Sequence, residues 1–266
     1  METPALLGLV IALGVLAGIF AVLQRRWPGV RNQPRTRTEL STDVVYWFVT
    51  PLVTNRLGRA VAGIALLPLI WLAGMPLDRE HLLRGFGPVA AWPVWLQALI
   101  LLVLGDFIGY WMHRAFHRGR FWPFHAVHHS AHELTWLSSV RVHPVNNAGM
   151  RLAQAAPFVL FGFSPLVVGA YLPLLTLHAI VQHANVRWDF GPLRYMIASP
   201  AFHRWHHADA PVARNKNFAG LLPLWDFLFG TLYLPRGEHP QHFGVAGEVV
   251  PHGWFAQMLY PFRRAR

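Results

Sequence analysis

Runs of apolar and polar positions divide the chain before any single residue is considered. Pro4 to Leu23 holds about twenty consecutive uncharged residues, the length a helix needs to cross a hydrocarbon core of roughly 30 Å. A second apolar run, Ala60 to Leu77, and a third, Val89 to Met112, flank the short charge-balanced stretch DREHLLRG. The last apolar region, Leu152 to His183, is too long for one crossing and short for two, with Gly162 and Pro165 near its middle. That pattern predicts a helical hairpin that enters and returns on one side. Val44 to Val53 reads as an interfacial helix. The expected fold is therefore all-α: an integral membrane helical bundle of about three long spans plus a hairpin, with polar connections gathered on one side.

Charge orients this bundle. Between Gln24 and Arg59 lie Arg25, Arg26, Arg31, Arg35, Arg37, Arg56 and Arg59. The positive-inside rule makes that stretch cytoplasmic, puts the N-terminus outside, and brings the end of the third run, at His113, to the cytoplasmic face. Because Arg25 and Arg26 follow the first apolar run instead of preceding it, the run is a span and not a cleaved secretory signal. Composition agrees: 54% of residues are hydrophobic, 13% are charged, and mean hydropathy is +0.32, against roughly 25% charged in soluble domains. The formal net charge of +11 rests on 22 Arg and a single Lys. These arginines flank apolar runs, which points to lipid headgroups rather than nucleic acid. Arg-for-Lys usage with abundant Ala, Leu and Trp suggests a bacterial protein of the inner membrane.

Histidine changes the picture further. The segment HRAFHRGRFWPFHAVHHSAH, His113 to His132, carries six of the 16 histidines, and the chain has no cysteine. His113 and His117 are four apart and share a helix face. His125, His128 and His129 combine spacings of three and four, and HRWHH repeats them at His203, His206 and His207. Gly119 and Pro123 break the chain between the first two groups, so the second can fold back on the first. His183, closing the hairpin, is the ninth candidate. Buried unpaired imidazoles are costly near lipid, and a metal ion takes four to six ligands, so nine fit two ions better than one. Neutral imidazole suits zinc, copper, iron or nickel. Asp106 lies inside an apolar run two turns before His113, where it is expected to hold the Nδ1–H of a ligand ring or to bond Tyr110 or Trp111. Arg141 to Pro144 is expected to orient the site or bind a headgroup. His132 is read as peripheral, and His81, His239, His242 and His252 as ordinary surface residues.

Several other readings compete with this one. A polyhistidine metal transporter would place its ligands near mid-membrane on broken helices, whereas these groups sit at helix ends and in polar connections. A membrane zinc hydrolase would need HExxH, but HELTW puts Trp136 where the second histidine belongs. The soluble carboxylate-type di-iron bundle needs Glu-x-x-His, which is missing. A haem would use only two of the rings.

HxxxH, HxxHH and a second HxxHH, in that order, with DFIGYWMHRAFH, RVHP, QHANV and KNFAGLLPLWDFLFGT around them, resemble the fatty acid hydroxylase/sterol desaturase superfamily of integral membrane di-iron oxygenases. The resemblance runs from about Leu96 to Leu234. It divides the chain into N-terminal spans (1–95), a catalytic domain (96–234) and a cytoplasmic tail (235–266). It implies two iron ions held by His113, His117, His125, His128, His129, His183, His203, His206 and His207, with His178 a secondary ligand candidate. It also implies O2 as co-substrate and hydroxylation, or alternatively desaturation, of an unactivated C–H position. The lipid is expected to enter sideways from the bilayer and to be positioned along its chain. The sequence departs from the family at VN after RVHP, where a carboxylate is common, and at His178, whose spacing of five from His183 does not share its face. With no cytochrome-like segment or GxGxxG fingerprint in view, electrons are expected from a separate ferredoxin- or cytochrome-like donor. Arg118, Arg120, Arg204, Arg214 and Lys216 form a basic face for that donor or for headgroups.

Overall fold

The computed structural model describes residues 3–263 apart from 34, 35, 73, 75 and 77. Arg35 and the Leu77 end of the second expected span therefore lie outside the described residues. Every named element is helical: α1 (Thr3–Arg26), α2 (Arg37–Leu72), α3 (Val94–Phe116), α4 (Trp122–His129), α5 (Pro144–Phe161), α6 (Pro165–His183), α7 (Pro200–His206), α8 (Leu224–Leu228) and α9 (Trp254–Arg263). Four helices are long and apolar enough to cross a membrane: α1, α2, α3 and the Leu166–His183 part of α6. The chain is a multi-pass helical membrane bundle.

The expected second span and interfacial helix turn out to be one element. α2 starts at an N-cap where Thr36 accepts the Glu39 amide, passes through a π-helical turn at Thr50–Thr54, and continues as α-helix to Leu72. The π turn begins with Pro51 at its start, and the wider hydrogen-bond ring absorbs the residue that would otherwise break the helix. The first half buries Glu39, Thr42, Asp43, Thr50 and Thr54, whereas the second buries only small or apolar positions, Gly58, Ala62 and Leu66, and exposes Ile64, Leu67, Trp71 and Leu72. The helix thus changes surroundings partway, which the hydrophobic pattern alone shows as two segments.

α5 and α6 run out and back as the expected hairpin does, though α5 begins earlier, at Pro144, and the two helices pack against α3 rather than against each other. Gly162, Phe163 and Ser164 join them, and Gly162 takes φ +71 with the Phe86 carbonyl where a side chain would stand. Gln97 of α3 closes this end by accepting the Ser164 amide. The second half of α2 lies against α5, and Gly58 makes the approach possible: a Cβ there would stand 2.1 Å from the Asn147 side-chain oxygen. Asn147 cannot swing away freely, because its amide donates to Asn55 Oδ1 at 2.8 Å. Pieces outside the spans, α4, α7, α8 and α9 with their connections, cover the ends of α2, α3 and α6. Asn185 staples the loop after α1 to them, accepting the Val30 amide and donating to its carbonyl.

A Gly58→Ala variant should lose about 1–3 kcal/mol of stability by overpacking the α2–α5 contact. Gly63→Ala, on the same helix with nothing within 4 Å of the new methyl, should change it little. Thermal unfolding of the two purified proteins in the same detergent checks the difference; equal loss would refute this packing.

Candidate metal centre

Three helices and one helix end deliver the histidines. His113 and His117 close α3, His125, His128 and His129 close α4, His183 ends α6, and His203, His206 and His207 lie on α7 and its cap. All nine sequence candidates converge in two adjoining groups: His113, His117, His125, His129 and His206 in one, His128, His183, His203 and His207 in the other. Within each group one ring nitrogen per residue lies within 4.8 Å of every other. His178 belongs to neither; its ring faces the Ala198 backbone. That matches its spacing, since five residues turn it away from the face of His183.

Each HxxHH motif is divided between the groups. On a helix turning about 100° per residue, the first and fifth positions share a face and the fourth points aside. His125 and His129 accordingly serve the five-histidine group while His128 serves the other. On α7, His203 and His207 serve the four-histidine group and His206 crosses over. The groups touch where His129 and His207 stack with ring centroids 4.2 Å apart.

Backbone carbonyls decide which nitrogens face inward. His113 Nδ1–H donates to the Phe218 carbonyl at 2.7 Å, His128 to Arg141 at 3.0 Å, His183 to Ala179 at 2.7 Å and His206 to Lys216 at 2.8 Å. His125 Nδ1–H donates to Asn146 Oδ1 at 2.8 Å. A carbonyl only accepts, so each of these rings carries its proton on Nδ1 and presents a bare Nε2. These atoms lie close to one another and to neighbouring Nε2 atoms: 3.0 Å between His113 and His125, 3.2 Å from His125 to His129, 3.2 Å between His128 and His183, and 3.2 Å from His183 to His203. His117 Nε2 and His206 Nε2 are buried without a hydrogen-bond partner. Inward lone pairs this close, with orphaned nitrogens among them, are a donor set suited to borderline metal cations.

Asp106 plays a different part from the one its position suggested. Seven helical residues separate it from His113, a rise of roughly 10 Å that its short side chain cannot span. Its two oxygens instead accept the Leu221 and Leu222 amides, each at 2.8 Å. Tyr110, its alternative partner, bonds Thr231 and Arg114. Asp226 does the equivalent work one step closer: it accepts the Phe218 and Ala219 amides at 2.8 Å and the Thr231 hydroxyl at 2.6 Å. The Phe218–Ala219 peptide thus runs from the Asp226 carboxylate through its own N–H and C=O to His113 Nδ1–H. Together the two carboxylates hold the strap Lys216–Leu222, whose carbonyls fix His113 and His206. Asp226 lies within the KNFAGLLPLWDFLFGT stretch and Asn146 in the VN pair after RVHP, so the resemblance marked both places, but spacing could not show which ring each serves because each acts across a fold contact.

Arg141 is fully buried rather than exposed to a headgroup. Its guanidinium pairs with Glu39 and Asp43 of α2, while its carbonyl fixes His128. RVHP therefore orients the centre by locking it to α2. Arg204 also departs from expectation. It is 1% exposed, donates to the Leu134 and Ala184 carbonyls, and lies over the Phe243 ring, so it is no part of a docking face. His132 and His252 lie near Glu39, and both are more than half exposed.

Burial and mutual repulsion hold the cage neutral. Desolvation pushes His128 down to about 4 and takes His117, His125, His129, His203, His206 and His207 well below the usual imidazole range. Unfolded, these rings titrate near 6.5. Below that value the unfolded chain binds more protons, so stability is present above pH 6.5 and is lost as pH falls toward 4. For His128 alone the loss at pH 5 is about 2 kcal/mol. Metal-free protein should therefore melt markedly lower at pH 5 than at pH 7.5; a pH-independent melting temperature would contradict a neutral cage.

Comparison with known proteins agrees with this geometry. An ornithine lipid hydroxylase of Rhizobium tropici is 33% identical over 175 residues, covering 65% of this chain and 52% of the relative. Alkylglycerol monooxygenases are 28% identical over 206 residues in Caenorhabditis elegans (77% of this chain, 37% of the relative) and 33% over 176 in Danio rerio (64% and 37%). The chain thus spans about half the length of the first and little over a third of the other two. No solved structure matches it. The fatty acid hydroxylase family model matches residues 98–231, half of the chain, and that match encloses all nine caging histidines with Asp106 and Asp226; this chain belongs to the fatty acid hydroxylase family.

Proposed function

We propose that the protein is a membrane di-iron oxygenase that hydroxylates an unactivated C–H position of a lipid. The observation that carries this reading is the division of nine imidazoles into groups of five and four, each fit for one ion. The relatives point the same way: one is named for hydroxylating ornithine lipid and others for alkylglycerol monooxygenation. An all-nitrogen cage would let iron change oxidation state without losing its ligands. When bound, the irons would supply O2 activation and removal of the substrate hydrogen. The overall balance is one C–H, one O2, two electrons and two protons giving one alcohol and one water. Desaturation would follow if a second hydrogen left instead of an oxygen being added.

The chain's own residues set the conditions. The carbonyls of Phe218, Arg141, Ala179 and Lys216 hold five-membered rings in one tautomer, so ligand geometry does not relax between turnovers. Trp122 and Phe218 pack against His117 and fix the orientation of its ring. With the positive-inside orientation, the cage lies at the cytoplasmic ends of α3 and α6, in a bacterial inner membrane with the N-terminus outside. Two electrons would come from a separate ferredoxin- or cytochrome-like carrier, for which exposed Arg118 and Arg120 beside the cage offer a basic landing face.

Protein purified without oxygen should hold close to two irons per chain, and lipid extracts of expressing cells should contain a species heavier by 16 mass units. One zinc per chain with no O2 consumption would overturn the reading. His128→Ala and His206→Ala, one from each group, should each abolish turnover while the protein still inserts in the membrane; full activity in either would remove that ring from the centre. Asp226→Asn should weaken iron binding by about 10–100-fold in chelator competition, the range for a group that orients a ligand, and unchanged affinity would reduce Asp226 to a loop staple.

A further inference from the structure

The centre opens on its polar side. A cavity of about 300 Å³ is bounded by His117, His129 and His206, all from the five-histidine group, together with Trp122. Its remaining wall comes from the turn at Gly119, the segment Ala208–Asn215 after α7 and the segment Gly244–Glu248 before α9. All of these lie outside the four apolar helices. Four further cavities tell the opposite story. One lies against α1 and the start of α2, one beside α3 near Phe107, and one among α2, α3, α5 and α6, and none of the nine caging histidines lines any of the three. A fourth, around Arg114 and Arg118, touches none either. Among these cavities the apolar ones stop short of the cage, and the one that reaches it is polar.

Its charges are of both signs. Asp209 and Arg214 face it, both are exposed, and among the described residues neither is held in an ion pair. Glu248 also lines it but is engaged, accepting the Trp122 indole N–H and the Tyr260 hydroxyl. A hydrocarbon segment drawn in here would strip water from Asp209 and Arg214 and return nothing to them. A headgroup bearing one cation and one anion would replace that water at both ends.

We propose that this cavity receives the zwitterionic head of the lipid substrate, with its cationic group toward Asp209 and its anionic group toward Arg214. The carbon then offered to the five-histidine group lies in the head or its linker, not midway along an acyl chain. This rests on the oxygenase reading and narrows it: the substrate reaches the centre head-first from the polar face, while its tails stay with the apolar helices.

Two arms test it on the full-length protein. In native mass spectrometry, dihexanoyl phosphatidylethanolamine should be retained about five-fold more than uncharged dihexanoylglycerol, a ratio typical of one or two exposed charge contacts. The Asp209→Asn/Arg214→Gln double variant should lose that preference. Equal retention of the two lipids, or a preference that survives both substitutions, overturns the proposal. In the second arm, tandem mass spectrometry locates the added oxygen on lipids from expressing cells. Oxygen on the headgroup or linker fragment supports it, and oxygen on the acyl fragment overturns it while leaving the oxygenase intact. If no oxidised lipid forms, the oxygenase reading itself fails, and the binding arm alone decides what the cavity holds.

Discussion

Nine imidazoles share one buried interior, and neighbouring Nε2 atoms of seven of them come within 3.0–3.2 Å of each other. Left to themselves they would rotate, protonate or separate, since lone pairs facing lone pairs attract nothing. The surrounding structure prevents each escape. Carbonyls of Phe218, Lys216, Arg141 and Ala179 hold the outer nitrogens, and the Asn146 amide oxygen does the same for His125. Burial opposes protonation, and the helices that carry the rings are tied to one another behind them. Such an interior is costly without cations and becomes favourable with them.

That requirement explains the polar skeleton behind the cage. Asp226 and Asp106 brace the strap from Lys216 to Leu222. Arg141, paired with Glu39 and Asp43, fastens the α4 side to α2. Breaking a buried charge pair of this kind is strongly destabilising, typically 3–5 kcal/mol, because the partner stays behind uncompensated. The membrane helices contribute rigidity more than chemistry: glycines at 58, 105 and 149 let them close on Asn147, Tyr171 and Phe116, so that the ends of α3 and α6 arrive in register with α4 and α7.

Much of this was legible in the sequence. Apolar run lengths give α1, α3 and α6, and the Gly162–Pro165 interruption gives the turn between α5 and α6, whereas α2 reads as two segments. The three histidine spacings name the residues that meet. What spacing could not give is which of them meet: HxxHH is one motif in sequence but serves two groups in space, because the helix turns His128 and His206 away from their neighbours. Asp106 misled for a related reason. Sharing a face with His113 is visible in the sequence, but the two-turn rise between them decides against contact. Arg204 read as a surface cation because composition says nothing about burial, and for the same reason the sequence left Arg141 open between orienting the site and binding a headgroup. Asp226 and Asn146 stand in stretches the resemblance marked, but their distance in sequence from the rings they orient or brace hid what each one does.

The account stands on two ions seated separately in that interior. Anomalous diffraction at the iron edge from crystals of the iron-loaded protein tests it most directly. Two peaks are expected, one enclosed by His113, His117, His125, His129 and His206, the other by His128, His183, His203 and His207. A single peak, or peaks lying outside these rings, would contradict it.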